Sequence, residues 1–396
     1  MTVGASTRKG PARVLIHVQH LMGIGHLRRA ISIATAVVRQ GMRCTLLSGG
    51  MPVPGVAEDA KDANVDFVQL PAIRSADLSY KSMLDETGQE VSKAWFVKRE
   101  TIIADVLKRF TYDAIVTETY PFGRRALRGE VLGLIALARQ LNPKVFVVSS
   151  IRDILEGFET AGERIDTVVD VLGTHYDTVL VHSDARVIKL DVTFPFVERL
   201  TVPIHYTGFV DHHPTVVQPT RVVPNGEVIV STGGGVVGAE LIDLALRARP
   251  LSRELSACPW RILVGHNLPG EAFEALRARA PRGVMIERNR KDFRQLLSQS
   301  TLSVSQVGYN TALDILASGV KAVLVPFRSD TQREQAIRGR VFADARLGVM
   351  VENHERSPER LARAMDSACD LEAQSIDWML DGAGVTASFI SRQLRD

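Results

Sequence analysis

Short runs of β-branched and aliphatic residues recur along the chain with helix-length amphipathic stretches between them, and this alternation constrains the fold more than any other feature. A strand, a helix and a further strand running the same way require a crossover connection, so the pattern predicts parallel sheets covered on both faces. In the first half the runs fall at residues 13–19, 44–48, 66–70, 114–118, 145–149 and 178–182. In the second they fall at 228–231, 262–264, 284–286, 302–305, 322–326 and 349–351. A helix is expected over 30–40, closed by Gly41, because glycine readily takes the left-handed conformation just past a helix end. Residues 208–226 hold Pro214, Pro219 and Pro224 with no periodicity and read as a connection. The expected organisation is a Rossmann-like domain at residues 1–210, a linker at 211–226, a second Rossmann-like domain at 227–375, and a C-terminal helix pair at 376–396 that packs back towards the first domain. A chain of 396 residues is long enough for two cores.

Composition narrows the function classes. The 48 Lys and Arg nearly balance the 45 Asp and Glu, for a net charge of +3, which argues against a surface built for nucleic acid. Cys44, Cys258 and Cys369 lie far apart without metal-ligand spacing, so neither a disulfide framework nor a zinc site is expected, in keeping with a reducing cytoplasm. No apolar run of about 18 residues occurs, so the expectation is a cytoplasmic protein, soluble or attached peripherally at the inner face of the membrane.

In doubly wound sheets ligands bind beyond the carboxyl ends of the strands, which directs attention to the loops there. After the run at 228–231 comes Thr232-Gly233-Gly234-Gly235 and then a helix from about residue 239. Glycines allow backbone amides to approach an anion, and the helix N-terminus supplies unpaired N–H groups for a diphosphate. A tight turn with no ligand is the other reading of those three glycines. The stretch from Ser303 through Gly308, Asn310, Thr311, Asp314 and Gly319 to Pro326-Phe327, followed by Arg333-Glu334-Gln335, is more specific. It resembles the donor-binding region of GT-B glycosyltransferases, and within them the family of N-acetylglucosaminyltransferases that form lipid II.

The resemblance implies two Rossmann-like α/β domains with doubly wound parallel sheets facing each other across a cleft. It implies Asp314 as the ligand of the ribose hydroxyls, where family enzymes generally carry Glu, and Glu334 and Gln335 as the pair facing the donor sugar. Gly308, Asn310 and Thr311 would line the same turn. Asp314, read as lying in the first turn of its helix, is alternatively part of a cap begun by Asn310 or Thr311. Arg288 and Asn289 correspond to the loop that wraps the nucleotide base, or form an exposed polar loop. His266 is a further contact to phosphate or sugar, or a solvated loop histidine.

The first run leads into His20-Leu21-Met22-Gly23-Ile24-Gly25-His26-Leu27-Arg28-Arg29. This resembles the N-terminal glycine-rich loop of the same enzymes, shortened to GIGH, and is also similar to the GxGHxxR loop of UDP-sugar hydrolases of the pseudaminic acid pathway. Both resemblances put His26 at the reaction centre, and an imidazole with a pKa of about 6.5 suits a general base. Glu118, at the end of its strand before Thr119-Tyr120-Pro121, is the candidate for orienting His26 or meeting the acceptor. Gly23, Gly25, Arg28, Arg152 and Asp153 are candidates for the acceptor or phosphate side. Arg28 with Arg29, and Arg124, Arg125 and Arg128, would meet a lipid-linked phosphate or form a solvated basic face.

No DxD triplet occurs, so no metal and no other cofactor is expected. The expected activity is inverting, metal-independent transfer from a nucleotide sugar, a UDP-sugar first, to a hydroxyl of a small-molecule, glycan or lipid-linked acceptor. Nucleotide-sugar hydrolysis and nucleotide-sugar binding without catalysis are the alternatives.

Overall fold

The computed structural model describes residues 10–21, 23–76, 82–160, 162–211, 226–232, 239–265, 268–327, 333–372 and 378–395. Residues divide into two compact units: Met1–Ala185 with Lys189–His212 and Asp381–Asp396, and His213–Leu380 with Arg186–Ile188.

The first unit is built on strands β1 (Arg13–Val18), β2 (Arg43–Ser48), β3 (Asp66–Gln69), a two-residue hairpin β4 (Arg74–Ser75) and β5 (Met83–Leu84), then β6 (Ala114–Glu118), β7 (Phe146–Arg152), β8 (Thr178–His182) and β9 (Ile204–Tyr206). Seven of them form one parallel sheet in the order β3-β2-β1-β6-β7-β8-β9. The order reverses between β1 and β6, so the loops after those two strands diverge and leave room for side chains to converge. One face carries Val14, Ile16, Val116, Val148 and Leu180 and packs on helices Gly25–Arg39 and Gly382–Gln393. The other carries Leu15, Ile115, Val147 and Val179 and packs on helices Lys93–Arg109 and Arg128–Leu141.

The sequence pattern misses β9 and the hairpin, which are too short to show periodicity. It also starts the first helix late, at residue 30, whereas the helix begins at Gly25 and reaches Arg39. Gly41 has φ 81, the conformation expected of it. Among the described residues the C-terminal segment holds one helix, Gly382–Gln393, in place of the expected pair, and that helix packs against Gly25–Arg39.

The second unit has strands β10 (Val228–Ser231), β11 (Trp260–Val264), β12 (Val284–Arg288), β13 (Leu302–Ser305), β14 (Ala322–Leu324) and β15 (Val349–Met350). They form a parallel sheet in the order β12-β11-β10-β13-β14-β15, with its reversal between β10 and β13. Of the loops at that reversal, Thr232 and the turn at Gly308 are among the described residues. Gly233, Gly234, Gly235 and His266 lie outside the described residues.

Candidate functional site

In the first unit the loops after β1 and β6 bring His26 and Glu118 together. Helix Gly25–Arg39 starts one residue before His26, so His26 and Arg29, three positions apart, sit on the same face of its first turns. Both reach the carboxylate that ends β6. His26 Nδ1 lies 3.0 Å from Glu118 Oε1, 2.9 Å from Arg29 Nη2 and 3.1 Å from Thr119 Oγ1. Arg29 pairs with Glu118 through Nη2 and, at 3.4 Å, through Nε. Arg29 is therefore not part of an exposed basic face, because its side chain is 3 % exposed and paired with Glu118. Arg28, Arg125 and Arg128 are exposed, and Arg124 Nε donates to the Gln19 carbonyl at 2.7 Å.

The His26 side chain keeps 20 % of its surface accessible while Glu118 keeps 1 %. Among the described residues Nε2 of His26 makes no hydrogen bond. Burial, then the positive charge of Arg124, push the imidazole down to about 3 against the opposing pull of Glu118, so it is neutral at physiological pH. Burial by itself would raise Glu118, but the Arg29 guanidinium and the bond from His26 outweigh it and hold the carboxyl well below the usual carboxylate range. The result is a buried ion pair with a neutral imidazole on its accessible side.

The backbone that delivers Glu118 is unusual. Thr119 has φ 72, a left-handed conformation that a β-branched residue takes only when its surroundings impose it, at a cost of order 1–3 kcal/mol. Here its amide donates to the Ser150 carbonyl at 2.7 Å and its hydroxyl to Glu118 Oε1 at 3.0 Å. The cis peptide Tyr120–Pro121 follows. Among the described residues a Cβ added at Gly23 or Gly25 meets no atom within 4 Å, and neither has a positive φ. Packing thus does not demand glycine at these two positions, which border His26. Arg152 ends β7 and its Nε donates to the Ile154 carbonyl at 3.1 Å. Asp153 is fully buried, which removes it as a direct acceptor contact in this conformation.

A second polar cluster ends the opposite face of the same sheet. Arg99 spans it, donating to Glu130 through Nε at 2.6 Å and Nη2 at 2.8 Å, to Gln19 Oε1 at 3.0 Å and to the Gly49 carbonyl at 3.0 Å. His17 Nε2 lies 2.9 Å from Glu130 Oε1. All these side chains are buried, and a Cβ at Gly49 would lie 2.2 Å from Gln19 and 2.5 Å from Arg99, so the cluster explains that glycine. No motif or periodicity in the sequence marks this cluster, nor Ser150 and His182.

In the second unit, helix Tyr309–Ser318 follows β13 with Gly308 as its N-cap and no side-chain cap, leaving first-turn amides unpaired by any capping side chain. Asn310 and Thr311 therefore do not cap it. Asp314 is the sixth residue of that helix and so lies in its second turn, not its first as expected. The offset arises because the helix starts at Tyr309, directly after the glycine. Asp314 Oδ1 accepts from Arg294 Nε at 3.0 Å and Nη2 at 2.9 Å.

Gln335 Oε1 accepts from the Val307 amide at 3.1 Å and the Phe327 amide at 2.9 Å. Two N–H donors settle the orientation of the side-chain amide: oxygen inward, NH₂ at the mouth of the Gly308 turn, 3.9 Å from where a Gly308 Cβ would stand. Glu334 pairs with Arg338 at 2.7 Å, and Arg338, itself buried, donates to the Val307 carbonyl at 2.8 Å. Arg288 donates to the Gly265 carbonyl at 2.8 Å and stacks over the Phe273 ring at 4.1 Å, while the Asn289 amide donates to the Val264 carbonyl at 2.9 Å. Glu334, through Arg338, and Gln335 thus converge on Val307 beside Gly308, whereas Asp314 is tied to Arg294. Among the described residues no helix is long and apolar enough to cross a membrane.

Comparisons with known proteins agree with this second unit most closely. Residues 229–376 match the glycosyltransferase family 28 C-terminal domain. The chain is 28 % identical over 142 residues to the UDP-N-acetylglucosamine--N-acetylmuramyl-(pentapeptide) pyrophosphoryl-undecaprenol N-acetylglucosamine transferase of Xanthomonas axonopodis pv. citri (strain 306), covering 36 % of this chain and 33 % of that protein. It is 31 % identical over 70 residues to the protein of the same name from Rippkaea orientalis (strain PCC 8801 / RF-1), covering 18 % and 20 %. The chain therefore spans about a third or less of the length of these curated relatives. Whole-chain likeness comes from solved structures: MurG of Acinetobacter baumannii, with a TM-score of 0.58, 17 % identity and coverage of 98 % of this chain and 100 % of that one, and the kitacinnamycin glycotransferase, with a TM-score of 0.63, 16 % identity and coverage of 97 % and 99 %.

Proposed function

From a chain of GT-B fold whose second unit matches the family 28 donor domain, we propose an inverting glycosyltransferase that takes its sugar from a nucleotide-sugar donor, a UDP-sugar first, without a metal ion. The observation that carries this reading is the placement of His26 at the chain reversal of the first sheet, with Nδ1 against a buried carboxylate and Nε2 unbonded among the described residues.

We assign the imidazole proton to Nδ1, 3.0 Å from the Glu118 carboxylate; Arg29 Nη2, which can only donate, then directs its hydrogens to Glu118 and not to Nδ1. Nε2 then holds a lone pair and takes the proton of the acceptor hydroxyl as its oxygen attacks the anomeric carbon. The bond to the diphosphate breaks with its electron pair leaving on the diphosphate oxygen, and attack from the opposite face inverts the centre. Glu118 stabilises the imidazolium that develops, the role a buried carboxylate plays behind a catalytic histidine. Amides at the Gly308 helix N-terminus would neutralise the departing charge, Asp314 would bind the ribose, and the Gln335 NH₂ group would meet a sugar hydroxyl. Acceptor identity rests on the relatives' names, which specify a lipid-linked pyrophosphate, and on exposed Arg28, Arg125 and Arg128. That supports a peripheral membrane contact on the acceptor side.

Hydrolysis of the nucleotide sugar is the second reading, favoured by the short GIGH loop at Gly23–His26. A panel of nucleotide sugars, with and without lipid-linked and soluble acceptors, separates the two by release of nucleoside diphosphate. Acceptor-dependent release is expected. Rapid release of free sugar that no acceptor accelerates would replace transfer by hydrolysis.

A further inference from the structure

We infer that Ser150, His182 and Thr207 form a buried relay of positioning residues that orients Glu118, and through it the tautomer of His26; this rests on the reading of His26 as the base.

The relay follows from strand register. Glu118 on β6 is the Cα partner of Ser150 on β7, and Ser150 is the partner of Leu180 on β8, two residues before His182. Partners in adjacent strands and residues two apart along one strand point to the same face of a sheet. Glu118, Ser150 and His182 thus extend the row Val116, Val148 and Leu180 beneath helix Gly25–Arg39, and the row changes from apolar to polar where that helix begins. Ser150 Oγ lies 2.9 Å from Glu118 Oε2 and 2.8 Å from His182 Nε2, and His182 Nδ1 lies 2.7 Å from Thr207 Oγ1. Ser150, His182 and Thr207 are each at most 1 % exposed.

One ionised group sets the direction of every proton in this file. An ionised carboxylate only accepts, so the Ser150 hydroxyl donates to Glu118. Its oxygen is then the acceptor for His182, which must carry its proton on Nε2. A neutral imidazole has a single N–H, so Nδ1, at 2.7 Å, accepts from the Thr207 hydroxyl in preference to the Gly208 carbonyl, which lies 3.2 Å from the same oxygen. Burial, followed by the charge on Arg29, holds His182 in that neutral form. Groups of one hydrophobic size would have filled this space at lower desolvation cost; a fully paired polar file adds directional control of the carboxylate. Ser150 and Arg29 Nε hold Oε2, while Oε1, which also accepts from Arg29 Nη2 and the Thr119 hydroxyl, is the oxygen that faces His26.

The test uses the full chain and two variants, Ser150→Ala and Thr207→Val, with Ser150→Thr as the conservative rescue. Turnover is read as UDP release from a UDP-sugar, and the histidine tautomers by two-bond ¹H–¹⁵N NMR correlation at neutral pH. Ser150→Ala is expected to lower kcat by about 10- to 100-fold with the donor KM changed less than about 2-fold, the fold-change that loss of one hydrogen bond to a charged group represents. The Nδ1–H population of His26 should fall, and Ser150→Thr should restore both. Thr207→Val removes the donor to His182 Nδ1 but leaves the Ser150 acceptor at Nε2, so His182 should keep its Nε2–H tautomer in an isosteric background, and a switch to Nδ1–H would overturn the proton order of the relay. Wild-type kcat together with an unchanged His26 tautomer in Ser150→Ala would overturn the relay. The NMR arm separates the two claims: a His26→Ala enzyme with full turnover removes the base assignment, while a tautomer shift in Ser150→Ala still establishes the relay.

Discussion

Replacing His182 with Gln should flatten the acid response of the first unit. His182 is fully buried, and its pKa is pushed down to about 3 from an ordinary 6.5. A group whose folded pKa lies below its unfolded value binds fewer protons when folded, so its contribution is complete above pH 6.5 and is lost as the pH falls towards about 3. The loss runs at about 1.4 kcal/mol per pH unit inside that window. Glutamine keeps one donor and one acceptor but does not titrate. The variant should be less stable than the wild type at neutral pH, and the gap should narrow by about 2.3 kcal/mol between pH 6.5 and about pH 4.5. Glu118 and Glu130, whose folded pKa values are depressed, begin to lose their contributions only as the pH falls through the ordinary carboxylate value of 4.5, and His26, depressed like His182, titrates in both proteins, so the difference between the two curves isolates His182. Urea denaturation followed by circular dichroism at constant ionic strength measures both curves. Parallel stability curves across the interval would refute a buried neutral His182.

Three further outcomes are expected. Arg99→Met leaves the buried Glu130 carboxylate with only His17 beside it and should cost about 3–5 kcal/mol of stability, most of it recovered when Glu130→Leu is added; a double-mutant cycle by chemical denaturation checks this. Asp314→Ala should weaken UDP binding by on the order of 1–3 kcal/mol in isothermal titration calorimetry, and an equal affinity would remove Asp314 from the nucleotide site. Gln335→Leu should lower affinity for a UDP-sugar more than for UDP alone, because the NH₂ group at the Gly308 turn is assigned to the sugar; equal losses for both ligands would move it to the diphosphate.

The architecture was legible because parallel strands buried on both faces write themselves as apolar runs, and β6, β8, β10 and β13 fall at the residues the runs mark. The pairing of His26 with Glu118 was legible in outline, since both follow strands that flank the reversal of strand order. Arg29 was not. Starting the helix at residue 30 leaves Arg28-Arg29 in a loop, whereas a start at Gly25 turns Arg29 under His26 and into the core. No local signal distinguishes a basic residue that finds a buried carboxylate 89 positions away from one that faces water. Ser150 and His182 were hidden for the same reason: their chemistry comes from register between strands, which periodicity does not reveal. The displacement of Asp314 into the second turn is a smaller case, decided by where one glycine lets the helix begin.

The central claim is that His26, held by Glu118, takes the acceptor proton. Wild type and His26→Ala should be compared for UDP release from a UDP-sugar in the presence of acceptor, with UDP affinity measured on the same preparations. A fall of roughly 100- to 10,000-fold in turnover with donor affinity essentially unchanged is the expected result. Turnover at the wild-type rate in His26→Ala would contradict it.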